Sequence, residues 1–332
     1  MYLAGDIGGT KTVLAIYEPA GSGSASALAL VREEVYPSRS FATFDAILAD
    51  FLGRGGPTAR PLRAGCLGVA GMVVEGRSRT TNLPWLLDES ALATAIGVPR
   101  VKLLNDLEAS AFGMLFLAPD ELEVLQAGPA PAPVGNIGVI AAGTGLGEAI
   151  LFWDGRNYQP IASEGGHGDF GPRAETEVEL LRHLRDQFGH VSYERVLSGP
   201  GIHNIYLFLR ERGDHPEPDW LAERLRTGDP NAAITELALS EADPLCVAAV
   251  DLFCSIYGAE AGNLALRSVA LGGVYVAGGI APRLLPVLRK GGFLRAFNEK
   301  GRFTDFLRRI EVKVALNPRA PLLGAAHYAT RL

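Results

Sequence analysis

Residues 1–18 read MYLAGDIGGTKTVLAIYE. An apolar strand runs to Asp6, Gly8-Gly9 make a turn, and Thr12 to Tyr17 return as a second strand. Glycine supplies the backbone freedom that such a hairpin needs. The same design returns at residues 136–153, NIGVIAAGTGLGEAILFW: apolar strand, glycine-threonine turn, apolar strand. Two hairpins of one design read as internal relatives. Around them the chain alternates short apolar runs with helical spacing. Phe41 to Leu52 has helical periodicity, Ala64 to Val69 and Val101 to Asn105 read as strands, and Leu107 to Phe116 reads as a helix that starts straight after Asn105-Asp106. Helical spacing dominates Glu175 to Phe188 and Asp243 to Val269. Gly272 to Gly279 is a glycine-bounded strand with a helix start near Pro282, Val312 to Ala315 is a last strand, and Pro321 to Leu332 closes as a helix with proline in its first turn. Hairpins mixed with strand–helix crossovers imply an α/β protein with mixed sheets flanked by helices.

Composition bounds the function classes. The 332 residues are 48% hydrophobic, 20% charged and 8% aromatic, which describes an ordinary globular protein. That length suggests two domains. The polar stretch Pro19 to Ser26 reads as variable, and Gly128 to Gly135 suits a surface connection; Pro129 to Pro133 is either a domain boundary or a loop. A formal charge of −6 argues against a general nucleic-acid coat. Cys66, Cys246 and Cys254 are too few for a disulfide framework and wrongly spaced for a thiolate zinc site. No basic region followed by an apolar core opens the chain, and no apolar run reads as long enough to cross a bilayer. A cytoplasmic location is the expectation.

The first hairpin sets Gly8, Gly9, Thr10 and Lys11 in a row. Turn amides can surround anionic oxygens, Thr10 adds a hydroxyl, and Lys11 adds a mobile positive charge. Asp6 at the strand end can hold water around Mg2+. The alternative is a plain glycine hairpin. Gly143-Thr144-Gly145 in the second hairpin supports the phosphate reading; two such turns facing each other would hold a triphosphate. Neither is a dinucleotide fingerprint or a Walker motif. Gly278-Gly279 can let a flat adenine or ribose pack on backbone, or can simply turn a strand into a helix. Asp106, at the end of a strand and the start of a helix, can take a proton from a sugar hydroxyl; otherwise it is a helix cap. Asn105 adds an amide for a neighbouring hydroxyl. In SEGGHGDFGP (residues 163–172), Glu164 and His167 suit hydroxyl recognition, with Asp169 close by; a cap-and-turn role is the alternative, and no partner set for zinc is visible. Glu194 is either a second hydroxyl-binding carboxylate or a solvated helix residue.

Six motifs in order resemble the bacterial glucokinases of the enteric type, within the hexokinase and actin-like ATPase superfamily. They are DIGGTK (6–11), LLNDLEA (103–109), GTGLG (143–147), EGGHGDF (164–170), HVSYERVLSGPGI (190–202) and VAGGI (276–280). The resemblance implies a two-lobed, ribonuclease H-like fold. Its small domain is 1–117, completed by a C-terminal helix at 318–332, and its large domain is 118–317. It implies Asp106 as general base, glucose contacts from Asn105, Glu164, His167 and Glu194, ATP phosphates near Gly8 to Thr10 and Gly143 to Gly145, and adenosine near Gly278-Gly279. Magnesium and a cytoplasmic homodimer belong to the same implication. Lys11 departs from the asparagine usual in enteric-type enzymes and is more like the repressor–kinase sugar kinases, whose cysteine-rich zinc motif this chain lacks. Two other readings stay open: a kinase for mannose, fructose or an N-acetylhexosamine, and an ATP-binding regulator without sugar chemistry.

Overall fold

The computed structural model describes residues 1–20, 28–54, 61–80 and 83–332. Most of the Pro19–Ser26 stretch lies outside the described residues. Contacts divide the chain into two units: Met1–Ala118 with Tyr158–Ala162 and Asn317–Leu332, and Pro119–Asn157 with Ser163–Leu316. The Gly128–Gly135 stretch therefore lies wholly inside the second unit, as an exposed connection between two of its strands.

In the first unit, β1 (Tyr2–Ile7), β2 (Lys11–Pro19), β3 (Leu28–Pro37), β4 (Ala64–Val69) and β8 (Val101–Asn105) form one sheet in the order β3-β2-β1-β4-β8. The strands β5 (Val73–Val74), β6 (Arg77–Arg79) and β7 (Leu86–Asp88) form a small separate sheet. β1 pairs antiparallel with β2 and parallel with β4, and β4 is parallel with β8. Alternation along each strand sends side chains to opposite faces. Leu3, Ile7, Leu14, Ile16, Leu67 and Val69 pack with Phe44, Ile47 and Phe51 of α1 (Phe44–Arg54) and Leu92 of α2 (Glu89–Ile96). Ala4, Ala15, Cys66 and Leu104 pack instead with Ala109 of α3 (Asp106–Gly113) and with Leu322, Ala325 and Ala329 of the C-terminal helix Ala320–Ala329. That second face is built from small residues, so its helices come close. A Cβ on Gly113 or Gly324 would collide with backbone of the facing helix, at Ala320 and Ala109 respectively.

The second unit repeats the opening plan. Its strands β9 (Leu122–Gln126), β10 (Ile137–Ala142), β11 (Leu146–Trp153), β13 (Val274–Ala277) and β14 (Val312–Ala315) run in the order β11-β10-β13-β14-β9; β12 (Tyr158–Ile161) belongs with the first unit. β10 pairs antiparallel with β11 and parallel with β13, as β1 does with β2 and β4. The long helices are α4 (Glu175–Phe188), α5 (Gly199–Arg212), α6 (Asp219–Thr227), α7 (Pro230–Leu239) and α8 (Pro244–Ser268). α8 lies on β10 and β13 and is covered in turn by α5, α7 and helix Gly292–Asn298. It corrects one expectation. At 25 residues and mean hydropathy 1.4 it is long and apolar enough to cross a membrane by length and composition, and 72% of that apolar window is buried inside the protein. Its all-round hydrophobicity is that of a core helix. The helix expected near Pro282 begins at Leu285, after a run of turns that opens with Gly278 at φ +82°. All three cysteines are free and buried.

Candidate active site

In the first unit, Ile7, Val69 and Asn105 stand side by side in register on β1, β4 and β8. Three parallel strands therefore deliver Asp6, the Gly8–Lys11 turn and Asp106 to one sheet end, over a span of about 10 Å. Carboxyl ends of parallel strands are where ligand crevices form in open α/β sheets. The turn is held from behind by Ser38, which is fully buried. Its hydroxyl donates to the Gly8 carbonyl at 2.8 Å and shares a 2.9 Å hydrogen bond with Thr12 Oγ1, while its amide donates to the Thr10 carbonyl at 3.0 Å. With the Gly8 and Thr10 carbonyls tied to Ser38 and the Gly8 amide donating to the Lys11 carbonyl, the outer side of the turn presents Thr10 and the exposed Lys11. Asp6 is half-buried, and burial raises its carboxyl pKa while the charge of Lys11 opposes the rise.

Asp106 is the first residue of α3, and the cap is Asn105. Asn105 Oδ1 accepts from Leu107 N at 2.9 Å, its Nδ2 donates to the Gly71 carbonyl at 3.1 Å, and Glu108 reaches back to its amide at 2.8 Å. The cap alternative weighed for Asp106 thus passes to Asn105, whose amide oxygen and nitrogen both have structural work. Asp106 Oδ1 accepts from Leu107 N as well. In that first turn the helix dipole favours a negative charge. Gly68 permits the arrangement, because a Cβ there would press on Ala109 Cβ at 2.9 Å and keep α3 off β4.

In the second unit, the Gly143–Gly145 turn and the Gly278–Gly279 turn end neighbouring strands, with Ala141 and Ala277 in register. Gly278 sits so close that a Cβ would collide with the Ala142 carbonyl oxygen, and Ile280 N donates to that oxygen at 3.3 Å. The Tyr257 hydroxyl, buried on α8, accepts from Ala142 N at 3.1 Å and lies 3.3 Å from the Ile140 carbonyl and 3.4 Å from that of Ala277. Tyr257 braces this turn as Ser38 braces the other. Neither was singled out in the sequence, where a serine after a proline and a tyrosine inside an apolar helix carry no distinguishing signal. Gly143 and Gly279 differ from Gly278. A Cβ on either meets nothing within 4 Å, and neither has a positive φ. Among the described residues no contact requires glycine there, so the open space suits a close external ligand such as a nucleotide phosphate or ribose.

Glu164, His167 and Glu194 come together. His167 Nε2 is 4.0 Å from Glu164 Oε2, and His167 Nδ1 is 4.0 Å from Glu194 Oε1. Glu194 lies on the one-turn 3-10 helix Tyr193–Arg195 and is only partly solvated: its Oε2 accepts from Leu146 N, beside Gly145, at 3.0 Å. A Cβ on Gly145 would collide with that oxygen, so the GTGLG turn and Glu194 are one unit. Asp169 stands apart from the trio: its Oδ1 binds His190 Nε2 at 2.8 Å. Among the described residues, no group of three or more His, Cys, Asp or Glu is placed to hold a metal ion. Two carboxylates flanking an imidazole offer several acceptors and a tautomeric donor, a set suited to neighbouring hydroxyls.

The sequence pattern of the glucokinase family matches residues 3–332. A glucokinase of Nostoc punctiforme is 43% identical over 345 aligned residues, covering 100% of this chain and 99% of that protein. The solved glucokinase of an Antarctic psychrotroph superposes with a TM-score of 0.86 at 30% identity, covering 100% and 99% of the two chains. A glucokinase of the repressor–kinase (ROK) family from Streptomyces griseus, solved with glucose and AMPPNP, shares the fold at TM-score 0.63 and 20% identity, over 100% of this chain and 99% of that one.

Proposed function

The chain belongs to the glucokinase family, and on that premise we propose that this ATP-dependent hexose kinase acts on the 6-hydroxyl of glucose, giving glucose 6-phosphate and ADP. The observation that carries the sugar site is the trio Glu164, His167 and Glu194, gathered around one imidazole at 4.0 Å on each side. Asp106 orients the 6-hydroxyl and takes its proton as the oxygen attacks phosphorus. Asn105 presents Asp106 by capping α3, and its remaining amide hydrogen faces a neighbouring hydroxyl. The Gly8–Lys11 and Gly143–Gly145 turns hold phosphate oxygens through backbone amides and the Thr10 and Thr144 hydroxyls. Gly278-Gly279 receives adenosine on exposed backbone.

Magnesium fits Asp6. One half-buried carboxylate at a strand end suits a cation that keeps most of its water and arrives with phosphates. When bound, Mg2+ neutralises charge on the transferring phosphoryl group. A cytoplasmic homodimer is part of the same reading, in keeping with three free, buried thiols.

The test is a sugar panel. With Mg-ATP, kcat/KM for glucose should exceed that for mannose, fructose, glucosamine and N-acetylglucosamine. A site built to pair each hydroxyl can reject a mismatched sugar by about 10⁴-fold. A higher kcat/KM on another hexose would overturn the glucose assignment and leave the family standing.

A further inference from the structure

Beneath the Glu164–His167 turn lie two buried carboxyl groups, reached from the surface by the half-exposed Arg267, that the phosphoryl transfer does not use. Glu148, on β11, is 1% exposed, and Glu260, on α8, is fully buried. Arg267, one helical face along α8, contacts both: its Nη2 lies 3.2 Å from Glu148 Oε2 and also pairs with Glu260 Oε1. Glu148 Oε1 is buried without a hydrogen-bond partner. Glu260 Oε2 accepts from Asn263 Nδ2 at 2.8 Å, and that nitrogen lies 3.2 Å from the Tyr193 hydroxyl. Lys300 Nζ closes the group on Asn263 Oδ1 at 2.6 Å and the Ala259 carbonyl at 2.8 Å.

The placement is what matters. A Cβ on Gly165 would collide with Glu148 Oε2, and a Cβ on Gly166 would collide with the Leu146 carbonyl. The backbone joining Glu164 to His167 therefore rests directly on the Glu148 carboxyl. On the other side, Tyr193 is the residue before Glu194. One buried network thus touches both segments that carry the proposed hexose-binding side chains. Buried ion groups are poor devices for stability alone, since apolar residues of the same volume often do as well.

We propose that Glu148, clamped with Glu260 by Arg267, is a positioning residue that holds the Glu164–His167 turn and Glu194 in register for the hexose. The inference rests on the hexose reading of that trio. Burial first, then the neighbouring charge of Glu260, push Glu148 up to about 8 against the pull of Arg267. Burial therefore favours the protonated form of Glu148, and ionising it adds negative charge beside the one guanidinium that Glu260 already shares. The other titratable groups around it are Tyr257 and Tyr193, both raised by burial, and Lys300, brought down to about 8 chiefly by burial, with Arg173 and Glu177 beside it. As pH rises through about 8, Glu148 gains a negative charge and Lys300 loses a positive one. Both changes leave the platform under-neutralised and loosen the turn above it.

The experiment measures glucose KM and kcat from pH 7 to 9.5 for the wild type, Glu148→Gln and Glu148→Ala. Glutamine keeps the shape and the uncharged donor of the protonated acid. In the wild type, KM should rise by about fivefold or more across that range while kcat changes less, and in Glu148→Gln by a clearly smaller factor, since only Lys300 still titrates there. Glu148→Ala should raise KM at every pH, with glutamine as the conservative rescue. Parallel KM profiles in wild type and Glu148→Gln overturn the proposal. So does a flat wild-type profile, which decides the matter even where a variant fails to fold. A wild type that neither binds nor phosphorylates glucose at any pH overturns the hexose reading itself, and the positioning role with it.

Discussion

Asp106 heads α3 while Asn105 caps it, and this division of labour makes its replacement informative. Asp106→Asn leaves the Asn105 cap intact, and an amide oxygen can still accept from Leu107 N. The melting temperature should hold, glucose affinity should fall little, and kcat should drop by about 10²–10⁴-fold, the range for loss of a general base. Retention of more than about a tenth of kcat would end the base assignment. Glycine gives a second residue-scale test. Gly143→Ala and Gly279→Ala meet no atom of the described residues within 4 Å. Each should leave stability unchanged or raise it by about 0.4–1 kcal/mol through the unfolded state. Each should also raise KM for ATP; an unchanged ATP KM would mean that these backbones meet no nucleotide. Glu164, His167 and Glu194, which the structure gathers around one imidazole, were visible in the sequence as residue types suited to hydroxyls. What sequence did not display was their support. Glu194 reads as a helix surface residue until its carboxylate is seen under Leu146 N, and Ser38, Tyr257 and Glu148 act through partners distant in the chain.

Among the elements, the two glycine hairpins were legible because their strands, turn and return strand are contiguous. The three-stranded sheet β5–β7 was not, since two- and three-residue strands leave too short a pattern to read. The start of the helix at Leu285 was displaced because the Gly278 turn continues for several residues past the strand. The C-terminal helix was legible from proline and periodicity, whereas its place in the first unit came only with the family resemblance, because its neighbours lie more than two hundred residues away. His327 on this helix is 8% exposed and stacks on Phe116, with centroids 3.5 Å apart and planes 3° from parallel. Burial, helped by the charge of Arg331, lowers its imidazole pKa from 6.5 to about 4. The native state thus binds fewer protons than the unfolded chain between those values. The stabilisation is whole above about pH 6.5 and is lost as pH falls toward about 4, by about 3 kcal/mol at most. His327→Phe keeps a stacked ring without the titration. Its melting temperature should fall less than the wild type's between pH 6.5 and 4, and identical acid profiles would show that His327 carries no such load.

At the scale of the whole chain, the same plan is used twice: an antiparallel hairpin whose first strand continues into parallel pairing, with a buried hydroxyl behind the glycine turn. The doubling was legible in residues 1–18 and 136–153. The assignment of 158–162 to the first unit was not, because nothing in a four-residue strand directly after β11 marks a change of unit. The first unit is therefore assembled from three pieces of chain, the last of them residues 317–332. Its small-residue face, with Ala4, Ala15, Cys66 and Ala109, is finished only when Leu322, Ala325 and Ala329 arrive to cover it. During synthesis that face leaves the ribosome with the first third of the chain and waits through the making of some two hundred further residues. Until that helix is made, the alanine-lined patch has no cover of its own, and the first unit cannot close its second face.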